Sequence, residues 1–281
     1  MLNNKLIKKI LFYFLFITIG FAAKAATVDT VTIYSNCMHK NVQCVVIMPD
    51  NYKNDTAHFP VVYLLHGWSG SYNNWVLKAP DLLSTVDKNN VLVVCPDGDY
   101  DSWYFDSPLD TTMKYETNVA IEIPAYIDEH YRTIATRNAR AITGLSMGGH
   151  GALYLAIKHK NIFAAAGSMS GGVDFRPFAE NWGIKKYLGD YNSHKENWDK
   201  NVVVNLVDSL NNGELKIIFD CGVSDFFINV NRALHQKLSD KKIDHDYIER
   251  PGEHNWDYWN NSVQYQLLFF HNFFVGNKML K

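Results

Sequence analysis

The stretch "AITGLSMGGHGAL", residues 141–153, decides the fold that this sequence predicts. It places Ser146 between Gly144 and Gly148, after an apolar run and before a helical one. This G-x-S-x-G pattern predicts a sharp strand-to-helix turn that lifts a serine hydroxyl out of the backbone. The first glycine permits the tight turn, and the second clears space beside a neighbouring strand. An ordinary glycine-rich loop has the same letters, so the interpretation depends on the rest of the chain.

Short apolar runs recur along the chain and alternate with helical stretches. The runs are "VVYLLHG", "VLVVCPDG", "ARAITGLS", "FAAAGSMSGG" and "LKIIFDCG", and runs this apolar are typical of parallel strands covered on both faces. Two alternating stretches, "VTIYS" and "VQCVVIMP", predict an antiparallel pair at the start. We predict helices at residues 117–131, 148–158, 229–241 and 262–274. The pattern indicates a mostly parallel, doubly wound α/β sheet with an antiparallel N-terminal strand pair.

The first 25 residues differ from the rest of the chain. The basic segment "MLNNKLIKK" is followed by the apolar "ILFYFLFITIGFA" and by the small residues of "AKA". This is the order of a secretory signal peptide, and the apolar part is shorter than the roughly 20 residues that span a bilayer. We predict a signal peptide at residues 1–25 and one catalytic domain at residues 26–281, exported to the periplasm or the medium without stable membrane insertion. An uncleaved anchor is the alternative.

Composition narrows the function classes. Lysine and arginine number 27 against 29 acidic residues, a net charge of −2, and no basic run marks a nucleic-acid partner. Removal of residues 1–25 takes away four lysines and no acid, which gives −6. The four cysteines lack a C-x-x-C metal spacing, so no metal site is predicted. Export permits a disulfide between Cys37 and Cys44 across a hairpin, whereas Cys95 and Cys221 are expected as buried thiols.

A serine nucleophile needs a base and an orienting carboxylate, which in this sheet order follow the serine as acid and then base. Asp225 lies beyond a strand end and can reach inward, whereas Asp220 falls within the apolar run and is expected to be buried. His254 follows a proline and a glycine in a loop, where a catalytic imidazole belongs. His245 is the other candidate for the base, but it lies in a predicted strand, where a surface or packed histidine is expected. We therefore assign Ser146 as nucleophile, Asp225 as acid and His254 as base.

A tetrahedral oxyanion needs backbone N–H donors. One is expected from Met147, next to the nucleophile at the positive end of a helix. The other is expected from Trp68, in the loop "HGWSG" after the "VVYLL" strand. His66 precedes the nucleophile in the chain and suits support of that loop better than base catalysis. His150 is expected to point away from the chemistry, in the first helical turn.

The chain resembles the esterase D-like group of α/β-hydrolases, which includes feruloyl and acetyl esterases, tributyrin esterases, S-formylglutathione hydrolases and, more distantly, mycolyltransferases. The resemblance lies in "LLHGWSG", "PDGDYDSWYFDSP", "YETNVAIEIPAYIDEHYRT", "GLSMGGHGAL", "DCGVSDFF" and "PGEHNWDYW", in the family's order along the chain. It implies Ser146, Asp225 and His254 as the triad, with Trp68 and Met147 as oxyanion donors and no metal or organic cofactor. The glutathione-directed members typically lack the His-Gly pair of this oxyanion loop.

Aromatic residues on the predicted loops give an indication of the substrate. Trp103, Tyr104 and Trp256 fall on predicted strand-end loops, where they can hold a sugar ring or a phenolic acyl group or simply pack the loops. We predict a serine carboxylesterase that acts on a small-molecule or polysaccharide ester, and that removes feruloyl or acetyl groups from carbohydrate. The alternatives are a mycolyl-type acyltransferase, a thioesterase of the S-formylglutathione hydrolase kind, a peptidase and a non-catalytic sugar-binding module. The oligomeric state is left open.

Overall fold

Eight strands form one sheet in the computed structural model, which describes residues 26–53 and 56–280. The strand order is β1-β2-β4-β3-β5-β6-β7-β8, and β2 pairs antiparallel with both β1 and β4 while the other neighbours are parallel. This confirms the predicted α/β sheet with its antiparallel N-terminal pair. The strands are β1 (Thr27–Ser35), β2 (Lys40–Met48), β3 (Val61–Leu65), β4 (Leu92–Pro96), β5 (Arg140–Gly144), β6 (Ala165–Met169), β7 (Lys216–Gly222) and β8 (His245–Arg250).

Helices cover both faces of the sheet. They are α1 (Asn74–Lys78), α2 (Leu82–Asn89), α3 (Tyr115–Thr117), α4 (Ile123–His130), α5 (Met147–Lys158), α6 (Ile184–Leu188), α7 (Lys195–Asp199), α8 (Val203–Leu206), α9 (Ile228–Asp240) and α10 (Trp256–Gly276). A π-helical turn at Asn118–Glu122 joins α3 to α4, inside the single helix that the sequence predicts there. Among the described residues, no helix is long and apolar enough to cross a membrane.

The central strand β3 shows why its run is apolar at every position. Val61, Tyr63 and Leu65 belong to a core with α5, whereas Val62 and Leu64 belong to a second core with α2 and α10. All five side chains are fully buried. Both faces of the strand therefore favour apolar side chains, and full burial of each aliphatic one contributes about 1.5–3 kcal/mol.

The last helix begins six residues earlier than the sequence predicts. The side chain of Asn255 accepts a hydrogen bond from the Tyr258 backbone N–H (3.1 Å) and so caps α10 at Trp256. An asparagine cap satisfies one of the free N–H groups of the first turn. Trp256 and Trp259 therefore lie on the first turn of α10, whereas Trp256 was predicted on a loop.

The cysteines do not form a disulfide. Cys37 and Cys44 are both free, as are the buried Cys95 and Cys221. The Cys37 backbone N–H donates to Glu122 Oε1 (2.9 Å), and its thiol lies 3.2 Å from Glu122 Oε2. Burial raises the pKa of Cys37 to about 11, so the thiol stays protonated. The disulfide that the hairpin permitted is not formed, and Cys37 contacts Glu122 instead. The predicted signal peptide lies outside the described residues.

Candidate active site

Ser146 occupies the turn between β5 and α5 in a backbone conformation that few residues adopt. Its φ is 54° and its ψ is −116°. A Cβ on Gly148 would lie 2.5 Å from the His66 carbonyl oxygen, and one on Gly144 would lie 2.6 Å from the Gly148 carbonyl oxygen. Each contact is closer than real Cβ atoms make, so both positions require glycine. The strained conformation and the two glycines together give this turn the geometry of a nucleophile elbow.

A chain of two hydrogen bonds joins Ser146 to the loops after β7 and β8. His254 Nε2 lies 2.9 Å from Ser146 Oγ, and His254 Nδ1 lies 2.8 Å from Asp225 Oδ2. Because the carboxylate can only accept, Nδ1 carries the proton and Nε2 is free to accept from the serine hydroxyl. The structure thus brings the three predicted triad residues into contact.

The acid and base loops are tied to each other as well as to the sheet. The Val223 N–H donates to the Arg250 carbonyl (2.9 Å), and the Ser224 N–H donates to the Gly252 carbonyl (3.0 Å). The other oxygen of the buried Asp225 carboxylate accepts from the Phe227 N–H (2.8 Å). These bonds fix the carboxylate before any substrate arrives, which is the preorganisation that acid–base chemistry requires.

The loop after β3 approaches Ser146 from the opposite side. A Cβ on Gly67 would lie 3.4 Å from Ser146 Cβ and 2.5 Å from the Leu145 side chain. Within the described part of the chain, the backbone N–H groups of Trp68 and Met147 donate to no other group. Both residues were predicted as oxyanion donors, and Met147 begins α5, where the helix dipole is positive. The two N–H groups are available to an oxyanion above Ser146.

His66 supports this loop from beneath. Its Nε2 accepts from the Gly98 N–H (2.7 Å), so Nδ1 carries the proton and donates to the Gly67 carbonyl (2.8 Å). The ring is buried. Both imidazole nitrogens are occupied, which agrees with the structural role predicted for His66 and leaves neither nitrogen free to exchange a proton with Ser146.

Asp220 and His245, the alternative candidates for the acid and the base, have hydrogen-bond partners other than Ser146. Asp220 is fully buried and accepts hydrogen bonds from Ser262 Oγ (2.6 Å) and Gln266 Nε2 (2.8 Å). Burial raises the pKa of this carboxyl, although Arg250 acts in the other direction. His245 stays in β8 and its Nε2 lies 2.8 Å from His235 Nδ1. Neither Asp220 nor His245 is hydrogen-bonded to the triad.

Two of the three predicted substrate-binding aromatics are in the core instead. Trp103 is 1% exposed and Tyr104 is fully buried. The ring of Tyr104 fills the space over Gly98 and Gly151, where a Cβ would lie 2.3 Å and 2.5 Å from it. Their interpretation as substrate contacts was wrong because two adjacent left-handed residues, with φ of 53° and 62°, turn both rings inward. Trp256 is placed differently and lines the cleft.

His150 is the third histidine near the elbow, and it faces away from Ser146 as predicted. Its Nε2 donates to the Asn201 carbonyl (2.8 Å), and its ring lies 5.1 Å from that of Phe175. Burial lowers the pKa of His150 to about 4. The imidazole is therefore neutral at pH 7 and belongs to the support of α5.

A cleft of about 370 Å³ opens over Ser146 and His254. Its walls include residues that were not predicted from the sequence: Asn74, Lys78, Trp182 and Phe226. Phe226 lies 4.2 Å from the His254 ring and stacks on Trp182 at 5.9 Å. Phe226 directly follows Asp225, so its position was a usable signal, whereas Trp182 lies in an irregular loop without a motif. In the described part of the chain, no three His, Cys, Asp or Glu side chains could hold a metal ion.

Comparisons with known proteins agree with the resemblance in the sequence. Residues 35–270 match the Esterase family. An acetyl esterase of Caldicellulosiruptor saccharolyticus is 28% identical over 252 residues, which cover 83% of this chain and 94% of that protein. The diacylglycerol acyltransferase/mycolyltransferase Ag85A of Mycobacterium gordonae is 26% identical over 281 residues, which cover 87% of this chain and 80% of that protein. A solved structure of a ferulic acid esterase has 27% sequence identity and a TM-score of 0.76, and the match covers 89% of this chain and 98% of that one. The neighbours confirm the predicted α/β-hydrolase fold.

Proposed function

This chain belongs to the Esterase family and is a hydrolase that acts on esters, and on that premise we propose that it is a secreted serine carboxylesterase. The observation that carries the proposal is the hydrogen-bond chain from Ser146 Oγ through His254 to Asp225, at the floor of an open cleft. Ser146 attacks the ester carbonyl while His254 Nε2 takes its proton. The N–H groups of Trp68 and Met147 donate hydrogen bonds to the oxyanion that develops.

The second half of the reaction uses the same atoms. The proton on His254 goes to the departing alcohol, which leaves an acyl group on Ser146. His254 then takes a proton from water as the water oxygen attacks the acyl carbon, and it returns that proton to Ser146 Oγ when the bond between Oγ and the acyl carbon breaks, which releases the acid and restores the enzyme. Asp225 stabilises the imidazolium in both halves and keeps its ring oriented. No step requires a metal or an organic cofactor.

The substrate we propose is an acylated carbohydrate with a feruloyl or acetyl group. The cleft is lined by Trp68, Trp182, Phe226, Trp256 and Trp259, and aromatic faces suit both sugar rings and phenolic acids. Relatives described as an acetyl esterase and a ferulic acid esterase support this class. The test compares initial rates on methyl ferulate, acetylated xylan and tributyrin. A clear preference for either of the first two supports the carbohydrate assignment, and equal, feeble rates on all three contradict it.

Acyl transfer is the second candidate, because the mycolyltransferase relative is similar over most of this chain. A sugar hydroxyl in the cleft would replace water as the acceptor of the same acyl group. Product analysis with and without an added sugar acceptor separates the two reactions. Release of free acid alone supports hydrolysis, and a new sugar ester supports transfer.

Export completes the proposal. It rests on the basic, apolar and small-residue order of residues 1–25. Intact mass of the protein secreted by its own cells tests it. The expected chain begins near Ala26, and a mass that includes residues 1–25 contradicts cleavage.

A further inference from the structure

The described residues that line the cleft include a positive charge and no negative one. Of the described residues that line it, Lys78 is the one permanent cation, and none is a carboxylate. The other side chains are aromatic, small or neutral, apart from the histidine of the triad. The protein as a whole carries a net charge of −2, so this cation is local to the cleft and does not reflect the general surface. A low-polarity cleft with a single cation attracts an anionic group.

Lys78 is an exposed residue whose ammonium group packs on an aromatic ring and pairs with no described carboxylate. Its Nζ lies over the Trp256 ring, 5.4 Å from the centroid, within the range of cation–π attraction. Some lysines of this chain are paired with carboxylates, as Lys158 is with Glu116 at 2.6 Å. No such ion pair forms at Lys78 in the part of the chain that the structure describes. Its ammonium group is therefore free to receive an anion.

The cation is connected to the reacting centre by rings in contact. The Trp256 ring lies 5.4 Å from that of Trp259, which lies 4.9 Å from His254. Trp256 also packs against the buried Trp75 at 5.2 Å. This aromatic support fixes the ring beneath Lys78 and so restricts where the ammonium group can lie. A substrate that fills the cleft from Ser146 toward α1 reaches Lys78.

We propose that the cleft selects an ester that carries a carboxylate, and that Lys78 binds this carboxylate while Ser146 attacks the ester. The inference rests on the esterase function proposed above and adds a specificity-determining residue to it. The carboxylate belongs either to the sugar, as in a uronic acid, or to the acyl group, as in a dicarboxylic half-ester. Both sources present the same anion to Lys78.

Two matched substrate pairs test the proposal and distinguish the sources. The first pair is an acetylated methyl glucuronoside and the methyl glucoside with acetyl at the same position, which differ by a carboxylate in place of a hydroxymethyl group. The second pair is p-nitrophenyl hydrogen succinate and p-nitrophenyl butyrate. We expect kcat/KM to be about fivefold higher for the anionic member of one pair, the effect of one partly exposed ion pair. A preference in the first pair places the anion on the sugar, and one in the second places it on the acyl group.

Variants and salt show whether Lys78 is the cause. Lys78→Gln is expected to abolish the preference and Lys78→Glu to reverse it, whereas the control Lys242→Gln, an exposed lysine before β8, is expected to keep it. Raising the salt from 0.01 M to 0.5 M should shrink the wild-type preference, since exposed charges are screened. Matched rates within both pairs, or an unchanged preference in Lys78→Gln, overturn the inference. Failure of the wild type on all four esters would instead overturn the proposed function.

Discussion

His254 Nε2 and Ser146 Oγ lie 2.9 Å apart, although 108 residues separate them in the chain. The contact forms because β5 and β8 end at the same edge of a parallel sheet, and the turn after each strand directs one side chain inward. The imidazole is oriented by Asp225, whose oxygen lies 2.8 Å from Nδ1. This geometry is the one that the proposed transfer of the serine proton to His254 requires before the substrate binds.

The first prediction concerns the carboxylate. Asp225→Asn should lower kcat on p-nitrophenyl acetate by about 10⁴, because the amide favours the wrong imidazole tautomer. The control is Asp246→Asn, which changes an exposed carboxylate of β8 and should leave kcat unchanged. An Asp225→Asn enzyme within tenfold of the wild type would show that another group orients His254.

Gly148→Ala tests the close approach at the elbow. Alanine in a helix is ordinarily favoured over glycine by about 1 kcal/mol. Here its Cβ would meet the carbonyl oxygens of His66 and Leu65 at 2.5 Å and 2.7 Å, and such overpacking costs about 1–3 kcal/mol. We expect a lower free energy of unfolding in urea. Gly276→Ala, with no atom within 4 Å of the new Cβ, serves as the control and should not destabilise. Equal stability of the two variants would argue against a rigid elbow.

The buried pair between β7 and β8 predicts an unequal effect of two arginine substitutions. Arg250 lies 3.0 Å from the fully buried Asp220, whereas Arg232 pairs with Glu249 at the surface, with half of its side chain exposed. Arg250→Leu leaves a buried carboxylate without its counter-ion and should cost about 3–5 kcal/mol. Arg232→Leu should cost at most about 1 kcal/mol. Urea unfolding at pH 7 measures both, and similar losses would contradict the structural distinction.

Acid should destabilise the protein through His150. Burial lowers the pKa of this group to about 4, below the value of about 6.5 in an unfolded chain. The folded state therefore binds the proton less readily than the unfolded state. The contribution of neutral His150 to the free energy of unfolding is fully present above pH 6.5 and is lost as the pH falls toward 4. Through this group alone, the free energy of unfolding should fall by about 2 kcal/mol from pH 7 to pH 5. Urea unfolding should show a shallower pH dependence in His150→Gln.

An independent measurement covers the case in which that variant does not fold. In the wild type, the NMR signals of the His150 ring should not titrate above pH 5. A midpoint near 6.5 would contradict its burial.

The sequence predicted the parallel strands because burial on both faces leaves an unbroken apolar run, as in β3. It also predicted the contacting residues Ser146, Asp225 and His254, since motif, chain order and strand ends restrict the choices. The cleft walls were harder to predict. Local chemistry does not reveal that Trp103 turns into the core, because left-handed backbone at a tryptophan has no sequence signal.

Other errors have the same origin in tertiary contacts. Trp182 reaches the cleft by stacking on Phe226, a contact across a long loop that no periodicity encodes. Cys37 is engaged by Glu122, 85 residues away, so hairpin spacing alone was a poor guide to disulfide formation. These positions depend on which surfaces meet after the sheet has formed.

The turnover of Ser146→Ala on p-nitrophenyl acetate tests the central claim most directly. The purified variant should have the circular dichroism spectrum of the wild type, which establishes that it is folded. Its kcat should be lower by about 10⁶, because removal of a triad serine abolishes the acyl-enzyme route. Normal turnover in Ser146→Ala would contradict the assignment of Ser146 as the nucleophile, and with it the mechanism.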